Sequence, residues 1–423
     1  MPLTPVLTTR WGAEQSWRLS TYERLEGYTA LRTALSMAPD ELVGLVKDSG
    51  LRGRGGAGFP TGMKWSFIPQ PKPGETPTGA AAMPKYLVVN ADEGEPGTCK
   101  DLPLMMADPH SLIEGMTIEA YATGASRGYL YLRGEYPLAA ERMTHAIAAA
   151  RRQELLGSDI AGSGFAFDIE IRRGAGAYIC GEETALFESI EGGRGEPRNK
   201  PPFPVEVGLF GKPTAINNVE TLVNVPLILR HGGAAFAAIG TEGSAGPKLF
   251  CLSGHVARPG VYEVPFGTTL RELIELAGGV HGPDAEREVR TILLGGAAGS
   301  FVGADALDTP LTFEGTRAIG ASLGSGVVMV FDRSTDLVDI LRRIAAFFRD
   351  ESCGQCVPCR VGTVRQEELL ARLAGGTPRG SAATELALLR EIGQAMRDAS
   401  ICGLGQTAST AIESAFRAEL VAL

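Results

Sequence analysis

The sequence lacks a positive net charge, a long hydrophobic run and a regular set of cysteine pairs. Its formal net charge is -9, so we expect no nucleic-acid partner. It has no window of about 18 apolar residues, so we expect no membrane-spanning helix. The N-terminus has no basic segment followed by an apolar core, which predicts no signal peptide. The seven cysteines form no even framework, which favours a reducing compartment facing the cytosol.

The sequence is long and rich in glycine. Its 423 residues are enough for two to four domains with sizeable cores. The 55 glycines and 26 prolines stay below the proportion typical of disorder. Many of the glycines are therefore expected in turns and close contacts. We find no internal repeat or low-complexity tract.

A run of cysteines is the most specific motif. Cys353, Cys356 and Cys359 follow one another at two-residue intervals, and a fourth thiol follows at Cys402. This spacing is typical of a [4Fe-4S] cluster, in which a remote cysteine completes the ligand set. The alternatives are a zinc site or buried thiols. Zinc sites usually pair two C-x-x-C units, and the second unit is missing, so we predict the cluster.

A glycine-rich segment at 53–65 is the first candidate binding loop. Gly53, Gly55 and Gly58 match G-x-G-x-x-G, but a helix from about Pro39 precedes them and a proline-rich loop at 69–84 follows. An ordinary Rossmann fingerprint needs a strand before the glycines and a helix after them, so we reject that assignment. The glycines still let backbone N–H groups approach an anion. Five further side chains add charge or flat apolar faces: Arg54, Lys64, Phe59, Trp65 and Phe67. The alternative is a surface loop with core aromatics.

Alternating strands and helices after residue 84 predict a parallel α/β sheet. Strands are expected at 85–89, 129–132 and 165–171, and helices at 137–152 and up to Glu191. A further helix, capped by Asp108, is expected from Pro109 toward Tyr121. Asn90, Asp92, Glu93 and Glu95 directly follow the first strand. Ligands bind at the carboxyl ends of parallel strands, so these side chains are binding candidates; the alternative is an acidic, solvated turn.

A second glycine turn, at 174–184, leads into a helix. Glu182 and Glu183 would stabilise the first turn of that helix, and we expect one of them to bind a hydroxyl group. Cys180 is interpreted as a small buried thiol. Further on, Asn217 and Asn218 are expected to open another helix, where adjacent amides suit either a cap or the carbonyl edge of a heterocycle.

The last two parts of the chain read as a β-grasp module and a helical bundle. Strands at 248–256, 261–264, 291–294 and 327–331, with a helix capped by Thr269 and Glu272, predict the β-grasp. It has no catalytic group, so we expect it to pack or to bind a partner. Helices at about 336–350, 360–373, 384–397 and 407–421 predict the bundle. The first and third loops of an up-down-up-down bundle share one end, so the four thiols can meet. The predicted domains are 1–240, which begins with an N-terminal arm at 1–35 packed on the body, 246–333 and 334–423.

Over nearly its whole length the chain resembles the NADH-binding flavoprotein subunit of respiratory complex I, often called its F subunit. The resemblance implies an α/β fold of atypical Rossmann-like character, FMN, NADH and one [4Fe-4S] cluster. It implies a flavin pocket made of Arg54, Gly55, Gly56, Lys64, Asn90, Asp92, Glu93, Tyr178, Gly181, Glu182, Glu183, Asn217, Asn218 and Thr221. It implies NADH contacts at Phe59, Phe67, Glu95, Lys200 and Phe203, and cluster ligands at Cys353, Cys356, Cys359 and Cys402. Gln355 and Val361 depart from the family pattern beside the cluster, which bears on its potential and its partner contact.

The resemblance also implies a mechanism and partners. NADH would pass a hydride to the flavin, and Glu95 and Glu183 would hold the carboxamide and ribose. Single electrons would continue through the cluster to a small [2Fe-2S] subunit and a larger iron–sulfur subunit. The chain would lie peripherally on the cytoplasmic side of the bacterial inner membrane.

Three alternatives remain. The first is a component of a soluble NAD-linked hydrogenase or formate dehydrogenase; such chains often carry an extra N-terminal redox domain, which we do not expect before Met1. The second is a non-enzymatic iron–sulfur binding or assembly subunit. The third places function in the β-grasp module.

Overall fold

The computed structural model describes residues 4–71, 76, 78–281 and 288–421. Part of the predicted proline-rich loop, 72–75 and 77, lies outside these residues. The N-terminal arm packs on the body as expected: Tyr22 and Tyr28 are fully buried. The Glu263 carboxylate accepts the backbone N–H groups of Val6, Leu7 and Thr8 at 2.6–2.9 Å, which ties the arm to the second sheet.

The first part of the chain forms eleven helices and four strands within the described residues. The helices are α1 (Leu19–Arg24), α2 (Thr29–Leu35), α3 (Pro39–Asp48), α4 (Thr61–Ser66), α5 (Asp101–Ala107), α6 (Pro109–Thr123), α7 (Pro137–Arg152), α8 (Glu183–Glu191), α9 (Val219–Val223), α10 (Val225–His231) and α11 (Gly233–Ala237). The strands are β1 (Tyr86–Ala91), β2 (Arg127–Leu132), β3 (Asp168–Arg173) and β4 (Thr214–Asn218). They pair in the order β3-β2-β1-β4, every pair parallel, which confirms the parallel sheet.

Three sequence-based details of this part were wrong. The third strand begins at Asp168 rather than 165, because Phe167 instead exchanges backbone hydrogen bonds with Gly157. Asn217 and Asn218 end the strand β4, which we had not predicted, before Asn218 caps α9. The carboxylate of Asp108 pairs with Arg10 at 2.6 Å rather than capping α6. In each case, contacts with residues elsewhere in the fold decided the local structure.

The second sheet has five strands and carries two helices. The strands are β5 (Pro247–Gly254), β6 (Gly260–Pro265), β7 (Thr291–Leu294), β8 (Ser300–Gly303) and β9 (Val327–Phe331), and the helices are α12 (Leu270–Leu276) and α13 (Phe313–Ala318). The order is β6-β5-β9-β7-β8, with β5 and β9 parallel and the other pairs antiparallel. Thr269 and Glu272 form the predicted capping box of α12. The mixed sheet confirms the β-grasp architecture.

The C-terminal part is helical, but its last helix is divided. The helices are α14 (Leu337–Glu351), α15 (Val357–Ala374), α16 (Ala382–Ala399), α17 (Gly403–Thr407) and α18 (Thr410–Arg417). We had predicted one helix at 407–421; the Ala408 carbonyl instead accepts the Gln366 side-chain amide at 3.0 Å. Helix α15 starts earlier than expected, since Pro358 suits a first turn. Cys359 therefore lies in the helix and not in the loop.

The three parts of the fold share a hydrophobic core. Val88 of β1, Leu293 of β7, Leu341 of α14 and Met396 of α16 belong to one buried cluster. This cluster fixes the two sheets and the helical part against one another. In the described part of the chain, no helix is long and apolar enough to cross a membrane.

Candidate functional site

A cleft of about 450 Å³ opens at the carboxyl ends of β1 and β4. Asn90 and Asn218 are partners in the parallel register of these strands, so both amides reach the same edge. The first and second sheets and the helical part all contribute to the walls: Gly55, Gly56, Ala57, Asn90, Asp92, Glu93, Gly94, Glu95, Thr98, Lys100, Asp101, Tyr178, Ile179, Gly181, Glu182, Asn218, Gly295, Ala298, Ser322, Gly324, Ser325, Gly403, Leu404 and Thr407. Ten of the predicted site residues therefore meet in one place.

Both glycine turns contribute backbone atoms, rather than large side chains, to the cleft wall. A Cβ added at Gly55 would lie 3.1 Å from that of Asn218, and one at Gly94 would lie 3.2 Å from the Tyr178 ring. The Asn90 side-chain amide donates to the Gly181 carbonyl at 2.8 Å, which joins the first strand to the second glycine turn. The small residues thus let the walls approach closely and leave room for a ligand.

Asp92 carries an unsatisfied carboxylate oxygen. Its Oδ2 is buried and has no hydrogen-bond partner among the described residues. Burial raises the pKa of Asp92 to about 7, against the opposing effect of Arg133. A buried acceptor without a partner costs free energy, so this oxygen suits a ligand that brings a donor into the cleft.

The Glu93 carboxylate accepts hydrogen bonds from the protein backbone. It accepts the N–H groups of Lys100 and Asp101 at 2.7 and 2.8 Å and that of Leu102 at 3.2 Å. These are the free N–H groups at the start of α5. Burial and the nearby Asp101 raise the pKa of Glu93 to about 7. Glu93 therefore holds the acidic turn in shape from one wall of the cleft.

Glu95 connects all three parts of the fold. Its Oε2 accepts the Tyr178 hydroxyl at 2.6 Å and its Oε1 accepts the Ala298 N–H at 3.1 Å. The Tyr178 N–H donates to Glu351 of α14 at 3.0 Å. Burial raises the pKa of Glu95, and the hydrogen bonds from Tyr178 and Ala298 partly offset that rise. The carboxylate is held rigidly at the cleft.

Glu182 and Glu183 share one lysine. Glu182 caps α8 by accepting the N–H groups of Thr184 and Ala185, both at 2.9 Å, so its role as a cap is real. Lys200 Nζ lies 2.8 Å from Glu182 and 2.6 Å from Glu183. Burial acts to raise the pKa of Glu182, but hydrogen bonds from Lys200 and Thr184 outweigh it and lower that pKa. Glu182 lines the cleft, whereas Glu183 lies one residue beyond the lining.

Four predicted flavin contacts are not among the residues that line the cleft. The Arg54 guanidinium is buried and donates to the carbonyls of Arg52 and Ala245 at 2.9 and 2.8 Å, and burial lowers its pKa to about 10. The other three also contact protein groups: Thr221 accepts the Arg54 N–H at 2.8 Å, Lys64 donates to the Ile216 carbonyl at 3.2 Å, and Asn217 donates to Glu119 at 2.5 Å. Direct contact of these side chains with flavin stays a prediction.

The three predicted adenine-stacking rings are exposed. Phe59, Phe67 and Phe203 are 42%, 52% and 53% exposed. The ring centroids of Phe59 and Phe67 are 6.3 Å apart. Exposed flat rings are available to a planar ligand, so these positions keep their predicted role.

Sequence reasoning missed a buried network of paired charges at the floor of the cleft. Lys100 is fully buried, and its ammonium lies 2.8 Å from Asp101, 3.0 Å from Glu220 and 3.2 Å from the Asn218 side-chain oxygen. Asn218 in turn donates to Asp101 at 2.7 Å. The only signal was the position of Lys100 and Asp101 directly after the acidic turn.

The second sheet also lines the cleft, contrary to our expectation that it would only pack or bind partners. Gly295, Ala298, Ser322, Gly324 and Ser325 form part of the wall. These residues carry no chemical motif, so only the placement of the sheet could show their role.

The four predicted ligand thiols gather beside the cleft. Cys359 and Cys402 are buried, and Cys353 and Cys356 pack against the same core. A Cβ added at Gly405 of α17 would lie 2.8 Å from that of Cys359. Burial raises the pKa of Cys359 to about 11, and Cys356, Cys402 and Cys353 raise it further. Four thiols that oppose one another's ionisation suit a cationic group between them.

The thiol arrangement fits a cluster better than a single ion. Among the described residues, no three His, Cys, Asp or Glu side chains converge where one ion could sit. A [4Fe-4S] cube does not require this convergence, because each thiolate binds its own iron. Burial raises the pKa of Cys402, and the backbone N–H groups of Leu404 and Gly405 partly offset that rise; backbone N–H groups near sulfur also tune cluster potentials.

Comparisons with known proteins agree with this geometry. Residues 46–227 match the Nuo51 FMN-binding domain, 249–299 the SLBB domain and 339–419 the NADH-ubiquinone oxidoreductase-F iron-sulfur binding region. The NADH-quinone oxidoreductase F subunit of Mycobacterium tuberculosis is 49% identical over 98% of this chain and 92% of its own length. Its counterpart in Rhizobium meliloti, numbered F 2, is 49% identical over 99% of this chain and 97% of its own length.

The chain belongs to the family of NADH-quinone oxidoreductase F subunits. As a member it is an NADH-oxidising flavoprotein of a multi-subunit complex and carries FMN and a [4Fe-4S] cluster. The FMN-binding match removes the non-enzymatic alternative. The unsatisfied Asp92 oxygen and the grouped thiols show that this chain has residues suited to both groups.

Hydrogenases contain similar chains. NADP-reducing hydrogenase subunit HndC of Solidesulfovibrio fructosivorans is 45% identical over 92% of this chain and 76% of its own length. A chain of the air-oxidized NAD+-reducing [NiFe]-hydrogenase is 39% identical, with a TM-score of 0.81, over 99% of this chain. The F subunit described here spans 66% of that hydrogenase chain.

Proposed function

We propose that this F subunit is the site where electrons from NADH enter a quinone-reducing complex, and that the cleft at β1 and β4 holds the flavin. The observation that carries the proposal is a shared wall. Gly403 and Leu404 line the cleft, and Cys402 directly precedes them. The same first turn of α17 therefore borders both the flavin cleft and the cysteine group. A two-electron and a one-electron carrier placed there would be neighbours.

When bound, FMN accepts a hydride from NADH and releases electrons one at a time to the cluster. The protein supplies orientation and charge. Asp92 would accept a donor of the flavin, and backbone N–H groups at Gly55 and Gly56 would face its ring or phosphate. Asn90 and Asn218 present amides from adjacent strand ends, and the Lys100 ammonium, paired with Asp101, contacts the Asn218 side-chain oxygen from below.

We assign NADH to the exposed side of the cleft. Phe59, Phe67 and Phe203 would contact the adenine, and Lys200 the phosphates. Glu95 is held by Tyr178 and would meet the carboxamide, while Glu183 would meet a ribose hydroxyl. Exposed rings and a lysine held by two carboxylates support this orientation.

A partner surface lies on α15. Val357, Val361 and Val364 are 57%, 46% and 36% exposed, and their spacing places them on one face of the helix that starts beside Cys356. An apolar face next to the cluster supports docking of the small [2Fe-2S] subunit or the larger iron–sulfur subunit. We place the assembly on the cytoplasmic side of the bacterial inner membrane, with this chain peripheral.

The test is anaerobic reduction of the purified full chain. NADH should bleach the flavin absorbance and then produce the electron paramagnetic resonance signal of a reduced [4Fe-4S] cluster. Phe203→Ala should raise KM for NADH about tenfold without loss of flavin. Leu138→Ala, which removes an exposed apolar side chain on α7 (66% exposed), should change neither quantity. A flavin that NADH cannot bleach would contradict the proposal.

The relatives HndC and the [NiFe]-hydrogenase chain support a second candidate, a hydrogenase subunit with the same cleft. Affinity purification of the chain from its own cells decides between them. Recovery of quinone-reducing membrane subunits supports the first candidate, and recovery of a hydrogenase subunit supports the second.

A further inference from the structure

Two cysteines outside the cluster face each other between the first and second sheets. Cys99 follows the acidic turn after β1, and Cys251 lies in β5. The Cys99 N–H donates to the Cys251 sulfur at 3.2 Å. Both are free thiols in this structure. The contact places the Cys251 sulfur against the residue that carries the Cys99 thiol, and side-chain rotation is the movement that would bring two such sulfurs to bonding distance.

The loop that carries Cys99 is held against the second sheet by the two residues directly before Cys99. The Thr98 and Ser325 hydroxyls lie 2.7 Å apart. A Cβ added at Gly97 would lie 2.3 Å from the Met329 side chain of β9, and β9 pairs with β5 at Cys251. These contacts fix the position of the loop, so the contact between Cys99 and Cys251 does not depend on loop motion.

We propose that Cys99 and Cys251 are a redox modification site that closes to a reversible disulfide on exposure to hydrogen peroxide. The exposed Cys99 is the attacking residue, and the buried Cys251, 1% exposed, is the resolving residue. This site is distinct from the four cluster thiols and does not depend on bound flavin.

The environment of the pair suits these two roles. The hydrogen bond from Cys251 and the nearby Lys100 ammonium lower the pKa of Cys99 to about 7, against the opposing effect of burial. The same hydrogen bond and burial raise the pKa of Cys251. Near neutral pH the pair therefore holds one thiolate, on the accessible side, and one thiol behind it. Thiolate character and access are what select a cysteine for oxidation.

The chemical step balances with peroxide as the oxidant. The Cys99 thiolate attacks one oxygen of hydrogen peroxide, the O–O bond breaks, and Cys99 sulfenic acid and hydroxide result. Hydroxide takes the Cys251 proton and becomes water. The Cys251 sulfur then attacks the Cys99 sulfur, the S–O bond breaks, and the released hydroxide takes up a proton as the second water. The two sulfurs are oxidised and both peroxide oxygens are reduced.

The disulfide would tie the cleft loop to the second sheet. Lys100 and Asp101 follow Cys99 directly, and both contact Asn218 at the cleft floor. A covalent link at Cys99 restricts the loop that positions them. A thiol reductant would release it.

The test uses the full chain with its cluster, prepared without oxygen. The protein receives one equivalent of hydrogen peroxide, its free thiols are alkylated in urea so that buried cysteines also react, and the unreduced tryptic digest is analysed by mass spectrometry. Cys99, Cys251 and Cys180 fall on separate tryptic peptides, since Lys100, Lys248 and Arg173 separate them. We expect a peptide that joins Cys99 to Cys251, lost after dithiothreitol, while Cys180 stays alkylated as the internal control.

Two variants test the assigned roles. Cys251→Ser should leave Cys99 as a sulfenic acid that dimedone captures, and Cys99→Ser, at the exposed position, should leave Cys251 fully alkylated. Wild-type protein in which Cys251 stays fully alkylated at every peroxide dose would overturn the proposal. Equal oxidation of Cys180 and Cys99 would also overturn it, because the pair would then have no special reactivity.

Discussion

The hydroxyl of Tyr178 donates to the Glu95 carboxylate across 2.6 Å and brings together the two turns that border the cleft. Tyr178 also packs against Phe347 of α14, with ring centroids 5.0 Å apart, and the other Glu95 oxygen accepts the Ala298 N–H. One tyrosine–glutamate pair thus spans both sheets and the helical part.

Tyr178→Phe should move the acidic limb of the pH profile for NADH–ferricyanide activity to higher pH by about one unit. The hydrogen bond favours the ionised form of Glu95, so its loss raises the pKa of Glu95 further above the ordinary range. Ionised Glu95 is then lost at a higher pH. The control is Tyr262→Phe, which removes an exposed hydroxyl that donates to the Arg258 carbonyl. An unchanged acidic limb in Tyr178→Phe would exclude Glu95 from the reaction.

Asp92→Asn should stabilise the flavin-free protein at pH 8 relative to pH 5.5. Burial raises the pKa of Asp92 from 3.8 to about 7, so the folded chain holds a proton that the unfolded chain releases near pH 4. Its contribution to stability is present at low pH and is lost as pH rises through 7. The difference between variant and wild type should grow by about 2 kcal/mol between pH 5.5 and 8, measured by urea denaturation. Asp48→Asn, at the exposed end of α3, should show no such growth.

Glu220→Gln should destabilise the chain by about 3 kcal/mol. Its buried carboxylate lies 2.7 Å from Lys248 Nζ and 3.0 Å from Lys100 Nζ and accepts the Leu249 N–H at 2.9 Å. The variant leaves two buried ammonium groups without their shared counter-charge. Lys248→Met should cost less in the same urea titration, because it removes one charge and leaves the Lys100–Glu220 pair. Equal costs would show that the charges contribute little.

Cys402→Ser should abolish the cluster but leave the flavin. Iron should fall from about four per chain toward zero, and the reduced-cluster resonance signal should disappear, while NADH still bleaches the flavin. Cys180→Ser should retain its iron, since Cys180 neighbours Tyr131 and Ser189 and is not one of the four predicted ligands. Full iron content in Cys402→Ser would remove Cys402 from the ligand set.

Patterns local in sequence predicted the folding units well. The cysteine spacing, the alternation of strands and helices, and the glycine turns can each be recognised from residues close together in the sequence. The fourth strand was missed because its five residues, Thr214–Asn218, end in two asparagines that read as a helix start. The division of the last helix was missed because the cause is Gln366, about 40 residues away.

By itself, the sequence determined which residue types could serve a flavin, a nucleotide and a cluster. Only the tertiary structure decided which of them meet. Asp92, Glu95 and Tyr178 reach the cleft, whereas Arg54 and Asn217 are not among the residues that line it. The reason is physical: spacing along the chain sets local backbone shape, but the direction of a buried side chain depends on which distant donors and acceptors satisfy it.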